Sequence, residues 1–172
     1  MRPHSRQILC VEETFGKNGW HCELVEDRDV LRAGFEAHHT RVDLIAQAYP
    51  QLNALSVVTE SPMLVDRMRI PFLLELLTRA NKQLTLGGFE YDLDRNHLVF
   101  RITNLFEKER FDGDIISSMV HCAIAEMDRI IPYAAVVRDT RADLIADLDL
   151  GRLLMREDLI PPVPGDEEEE EL

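Results

Sequence analysis

The residues best suited to chemistry are two His-Cys dipeptides, His21-Cys22 and His121-Cys122, because imidazole and thiolate are the usual ligands of zinc. Their spacing argues against a shared ion. Neighbours in a strand point to opposite faces, and neighbours in a helix diverge by about 100°, so neither dipeptide chelates alone. No C-x-x-C or H-x-x-x-H accompanies them, and both read as packing residues with no metal or cofactor. His38-His39 falls between two predicted strands, where imidazoles are ordinarily solvated. A nucleophile would need a Ser or Cys on a strained turn beside a His; there is no G-x-S-x-G, and Ser117 and Ser118 lie inside a predicted helix. Asp92 and Asp94 flank a turn, where Asp is favoured for bonding its own backbone. Gly87-Gly88 lacks the preceding strand and following Lys-Ser/Thr of a phosphate-binding loop. Arg67, Arg69 and Arg79 read as the wet side of a helix. The expectation is a protein that is not an enzyme.

The elements that would position these groups are clearer than the groups themselves. Phe72, Leu73, Leu76, Leu77, Ala80 and Leu84 recur at steps of three and four, which predicts a helix over 70–81 laid on a core, with Pro71 in its first turn. Gly87 and Gly88 end that segment and turn it into a hairpin, Phe89 to Leu93 and Leu98 to Ile102, around Asp94-Arg95-Asn96. Ahead of it, Ser5 to Phe15 reads as a short amphipathic helix through Ile8, Val11 and Phe15. Four segments with period-two character follow. They are Trp20–Leu24, the set Leu31, Ala33, Phe35 and Ala37, the set Val42, Leu44, Ala46 and Ala48, and Leu52–Thr59. Short polar or proline-bearing loops join them, as an up-and-down order requires. Glu60 to Arg69 reads as a crossover. Asp112-Gly113-Asp114 caps a second long helix with Ile115, Ile116, Met119, Val120, Ala123, Ile124, Met127 and Ile131 inward, and Pro132 should stop it. The fold class predicted is α+β: an antiparallel sheet, four-strand meander plus hairpin, with the helices packed on one face.

The chain has 172 residues, which suits one domain and an appendage. The formal charge is -13, but residues 139–172 hold 12 acids and 3 bases, against 20 acids and 16 bases before them. The body therefore lacks the basic footprint that a phosphate backbone demands, and no nucleic-acid partner is expected. Three cysteines at unrelated spacings, no apolar leader and no apolar run near the roughly 20 residues of a spanning helix predict a cytoplasmic chain with no membrane partner. The predicted divisions are 1–138 as the α+β domain and 139–160 as a short amphipathic helical extension. The rest, 161–172, is a Pro-rich spacer, Pro161 to Gly165, and a disordered acidic tail, Asp166 to Glu171.

In order, the chain gives a helix, a four-strand meander and a helix ending in Ala80-Asn81. Next come Leu86-Gly87-Gly88-Phe89-Glu90-Tyr91-Asp92, the strand Leu98-Val99-Phe100-Arg101, and a helix ending Asp128-Arg129-Ile130-Ile131-Pro132-Tyr133. This succession resembles the YbjN-like family, which looks like the type III secretion chaperone fold. The resemblance spans about residues 5–137 and is densest over Asn81 to Arg101. It implies an α+β domain with a curved sheet, often dimeric, whose relatives bind extended segments of other proteins or have no assigned activity. The acidic extension after Asp139 departs from that core pattern and looks like the version found in photosynthetic bacteria.

A sheet with helices on one face leaves its other face and its edges open, and an edge accepts an extended peptide by strand addition. Ile45, Tyr49, Leu52 and Val58 lie on or near the open alternation, and Leu144, Ile145, Leu148, Leu153 and Leu154 give the extension an apolar side. The function expected is a non-enzymatic interaction module, chaperone-like or regulatory, binding a protein partner through the sheet surface or the acidic extension. A homodimer would use the same apolar residues. The alternative is a small-molecule-binding or catalytic domain with a pocket between helices and sheet.

Overall fold

The computed structural model describes residues 3–159. Helix α1 (Arg6–Lys17) starts where the Ser5 hydroxyl accepts the Ile8 amide hydrogen at 3.2 Å, and it buries Ile8, Val11 and Phe15. Strands β1 (Glu23–Leu24), β2 (Val30–Glu36), β3 (Arg41–Tyr49) and β4 (Ala54–Pro62) form the meander. Helix α2 (Ile70–Asn81) leads to the hairpin β5 (Gly88–Asp92) and β6 (His97–Leu105); α3 (Gly113–Asp139) and the single turn α4 (Leu150–Leu153) complete the chain. All neighbours pair antiparallel in one six-stranded sheet of order β1-β2-β3-β4-β6-β5.

Alternation decides which side is covered. On β3, Val42, Leu44, Ala46 and Ala48 are buried whereas Arg41, Asp43 and Tyr49 are exposed. Helix α1 lies against β2 and β3, α3 against β4 and β6, and α2 against β5. Where α3 meets the sheet, the buried Thr59 hydroxyl donates to the Ala123 carbonyl at 3.1 Å.

Four local expectations are corrected. Only Glu23 and Leu24 of the Trp20–Leu24 segment pair as a strand, because Trp20 is used as an aromatic plug, with ring contacts to Phe15, Phe35 and His121. Leu52 is in a 3-10 turn, and β4 starts at Ala54 after Asn53, which takes a left-handed φ of 47°. Strand β4 extends through Glu60 to Pro62, since the nine-residue β6 pairs with it along its whole length and proline sits tolerably at a strand end. Helix α3 runs past Pro132 to Asp139. The interior proline costs about 3 kcal/mol, while burying a large apolar side chain returns roughly 1.5–3 kcal/mol, and Tyr133, Ala134 and Val137 beyond it are all buried.

Residues 141–159 fold back on the domain through two 3-10 turns and α4, with Ile145, Leu150 and Leu153 buried. The spacer and acidic run expected over 161–172 lie outside the described residues.

Candidate functional site

The broad surface left without a helix is the second face of the sheet. Register places Arg32, Ile45, Val58 and Arg101 side by side across β2, β3, β4 and β6, with Gly34, Asp43, Glu60, Val99 and Glu90 as the next row. Its polar groups bond to one another. Arg101 Nε donates to Glu90 at 3.0 Å, Arg95 Nη1 to Glu60 at 2.9 Å, and the Thr103 hydroxyl to Ser56 at 3.1 Å. These exposed pairs bridge neighbouring positions on the face and add little stability.

At one end the face turns apolar. Tyr49, Ala54 and Leu105 form a single register row, and the Phe106 amide donates to the Asn53 carbonyl at 2.8 Å, which sets the Leu52 turn beside the end of β6. Leu52 is 66% and Leu105 71% exposed, with Tyr49 at 36%. Of the four residues expected on this surface, Tyr49 and Leu52 are therefore exposed together, Ile45 is half-buried, and Val58 is 8% exposed between Ile45 and Arg101. Leu105 lies three residues past Ile102, where the sequence reading ends the returning strand, and carrying the alternation on through Thr103 to Leu105 is the signal that finds it.

The five extension residues do not join this surface. Ile145 and Leu153 are buried, Leu148 and Leu154 lean on the core, and only Leu144 is half exposed. Nor are both edges open. The Asn81 side chain bonds both backbone groups of Phe89 on β5, and the two-residue β1 pairs with only Leu31 and Arg32 of β2.

Several of the chemically capable side chains serve packing. Burial pushes the thiols of Cys22 and Cys122 above their ordinary pKa, with Glu12 and Glu126 adding to it, so neither is an activated thiolate. His121 meets Trp20 edge-on at 5.2 Å. Among the described residues no three His, Cys, Asp or Glu side chains gather as metal ligands would. His39, expected to be solvated, is a tether: its amide donates to the buried Asp128 carboxylate at 2.6 Å and its ring Nδ1 lies 3.4 Å from the other oxygen. Arg69, expected on a wet helix face, is largely buried, pairs with Asp66 and donates to the Thr140 carbonyl at 2.6 Å. Both long-range partners are far apart in sequence and leave no local signal. Between α3 and the end of β6 lies a groove of about 280 Å³, lined by Leu86, Ile102, Ile115, Met119 and Cys122 with Asp114 at its rim. No described helix is long and apolar enough to cross a membrane.

Comparison with known proteins follows the fold. Residues 10–135 match the family model YbjN, described as "putative bacterial sensory transduction regulator". A crystal structure of YbjN from E. coli, described as "a putative transcription regulator", superposes with a TM-score of 0.50 at 11% identity, covering 80% of this chain and 90% of that one. At that identity the likeness concerns the fold alone. No curated protein matches. With well over half of its length matched, the chain belongs to the YbjN family.

Proposed function

We propose that this chain is a non-enzymatic, cytoplasmic interaction module of a regulatory or chaperone-like kind, which binds a protein partner on the uncovered face of its sheet. The observation that carries this reading is the exposure of Tyr49, Leu52 and Leu105 together at one end of a face that otherwise carries polar pairs such as Arg101–Glu90, Arg95–Glu60 and Thr103–Ser56. Aromatic and aliphatic anchors inside a polar surround are the usual composition of a recognition patch. The family description as a regulator fits such a role. A second copy of the chain is the rival occupant, and the groove beside α3 is where a small apolar molecule would sit instead.

The test places a photo-crosslinking amino acid at Tyr49 of the full chain in its native host, with Leu93, exposed in the other hairpin, as control. A discrete adduct at 49 that is absent at 93 and lost in the Leu52→Asp variant is expected. Equal labelling at both positions, or labelling of this chain alone together with a dimer in light scattering, overturns partner binding at this face.

A further inference from the structure

The cover on α2 and α3 is this chain's own. Helix α4 lies against α2, and the last turn of the extension, at 157–159, lies against α3. Helix α2 and the second half of α3 bury Leu77, Ala80, Ile130, Tyr133, Ala134 and Val137, and the Tyr133 hydroxyl and Arg79 reach the extension directly. What holds the cover down is unevenly divided. The apolar anchors Ile145, Leu150 and Leu153 point into the domain, yet its polar groups bond almost wholly among themselves. Its backbone bonds close within the segment, from Leu144 to Arg141 through Leu159 to Arg156. Its side chains do the same: Arg141 with Asp143, the Asp149 carboxylate with the Arg152 amide, and Arg156 with Asp158.

Among the described residues, two side chains of the body donate hydrogen bonds to this segment and its root. Tyr133 donates to the Arg156 carbonyl at 3.0 Å, and Arg69 donates to the Thr140 carbonyl where the segment begins. A four-residue helix has no stability of its own, so the segment keeps its place only through its anchors. Because its own polar groups are satisfied internally, it can lift as a unit at the cost of one bond from the domain, that of the Tyr133 hydroxyl to the Arg156 carbonyl.

We infer that the α2/α3 surface is a binding groove for a short leucine-rich, acid-bearing amphipathic segment, and that residues 141–159 occupy it here as a displaceable internal ligand. The seated segment defines the chemistry the groove takes. Apolar residues three to five apart enter it, aspartates lie between them, and Arg79 of α2 borders the place where Gly151 sits, opposite the Asp149 carboxylate. A partner presenting the same pattern competes for the same surface, which would couple partner binding to release of the extension. The inference is independent of the sheet-face reading, since the two surfaces are on opposite sides of the sheet.

Hydrogen exchange on the full chain tests displacement. Amides of 145–159 should exchange at least roughly 100-fold faster than those of Val120 to Met127, and Tyr133→Phe should speed the former further while leaving the latter unchanged. A labelled synthetic peptide of residues 141–159 tests the groove. It should bind the Leu153→Asp variant saturably and at least about tenfold more tightly than the wild type, whose own segment competes, and a scrambled peptide should not bind. If Leu153→Asp does not fold, Tyr133→Phe takes its place in the titration. Extension amides as protected as those of mid-α3, or no peptide binding to an opened variant with native α3 exchange, overturns the inference.

Discussion

The Asn81 carboxamide replaces a missing strand on β5: its Oδ1 accepts the Phe89 amide hydrogen at 2.6 Å and its Nδ2 donates to the Phe89 carbonyl at 3.0 Å. One side chain at the end of α2 thereby satisfies both backbone groups of the second residue of an edge strand, blunting it against strand addition. Asn81→Ala strands two partly buried groups. It should cost about 1–3 kcal/mol in urea unfolding and raise the aggregation rate at high concentration. Unchanged stability and solubility would show that water replaces the carboxamide fully.

Gly87 has a left-handed φ of 71°, and a Cβ there would sit 2.5 Å from Phe100 Cζ and 2.8 Å from the Arg101 carbonyl oxygen. Conformation and space both demand glycine. Gly87→Ala should destabilise by roughly 2–4 kcal/mol, from about 1–2 kcal/mol of backbone strain plus displacement of a core ring. Thermal unfolding measures it. The neighbouring Gly88 has more room, with Asn81 Oδ1 at 3.6 Å, so Gly88→Ala should cost distinctly less.

Asp128 anchors the β2–β3 hairpin to α3 through the His39 amide and ring. Removing the carboxylate loses the bond that satisfies that amide, whereas removing the ring leaves the amide bond in place. Asp128→Ala should therefore cost about 1–3 kcal/mol and His39→Ala less, with the difference read from paired denaturant curves at neutral pH. The opposite order would mean that the imidazole carries the tether.

Alkaline pH should weaken the fold in two steps. Burial is the leading cause that raises Cys22, Cys122, Tyr91 and Tyr133 above their ordinary values of 9.0 for the thiols and 10.0 for the phenols. A group whose folded pKa is raised contributes stability that is complete below its unfolded pKa and is lost as pH rises through the folded one. Stability should hold to about pH 9, fall as the thiols of the unfolded chain ionise, and fall again above about pH 10. The Cys22→Ser, Cys122→Ser double variant should lose the first fall and keep the second. Both phenols are structural donors, to Met63 and to Arg156, which is why their ionisation matters.

Much of this architecture is written in hydrophobic spacing. Period two in β2 and β3, the three-four stripe of α2 and the caps of α3 report which side of each element meets the core, and burial of that side is what selects the element. The meander and hairpin followed from short polar loops, because antiparallel neighbours need no more than that. Local rules failed where a distant partner outweighed them. Pro132 does not stop α3 because residues past it are buried, and Trp20 leaves the strand pattern because Phe15, Phe35 and His121 enclose it.

The exposed apolar patch divides the same way. Tyr49 and Leu52 could be picked out from composition and alternation, since exposure at a strand end needs only local geometry. Placing Leu105 beside them and turning Leu150 and Leu153 inward, with α4 against α2, depend on contacts between residues far apart in the chain, and closing the β5 edge with Asn81 depends on the helix and strand packing together. Apolar spacing encodes that a side will be buried. It does not encode what will bury it, and that was settled only when the whole chain closed on itself.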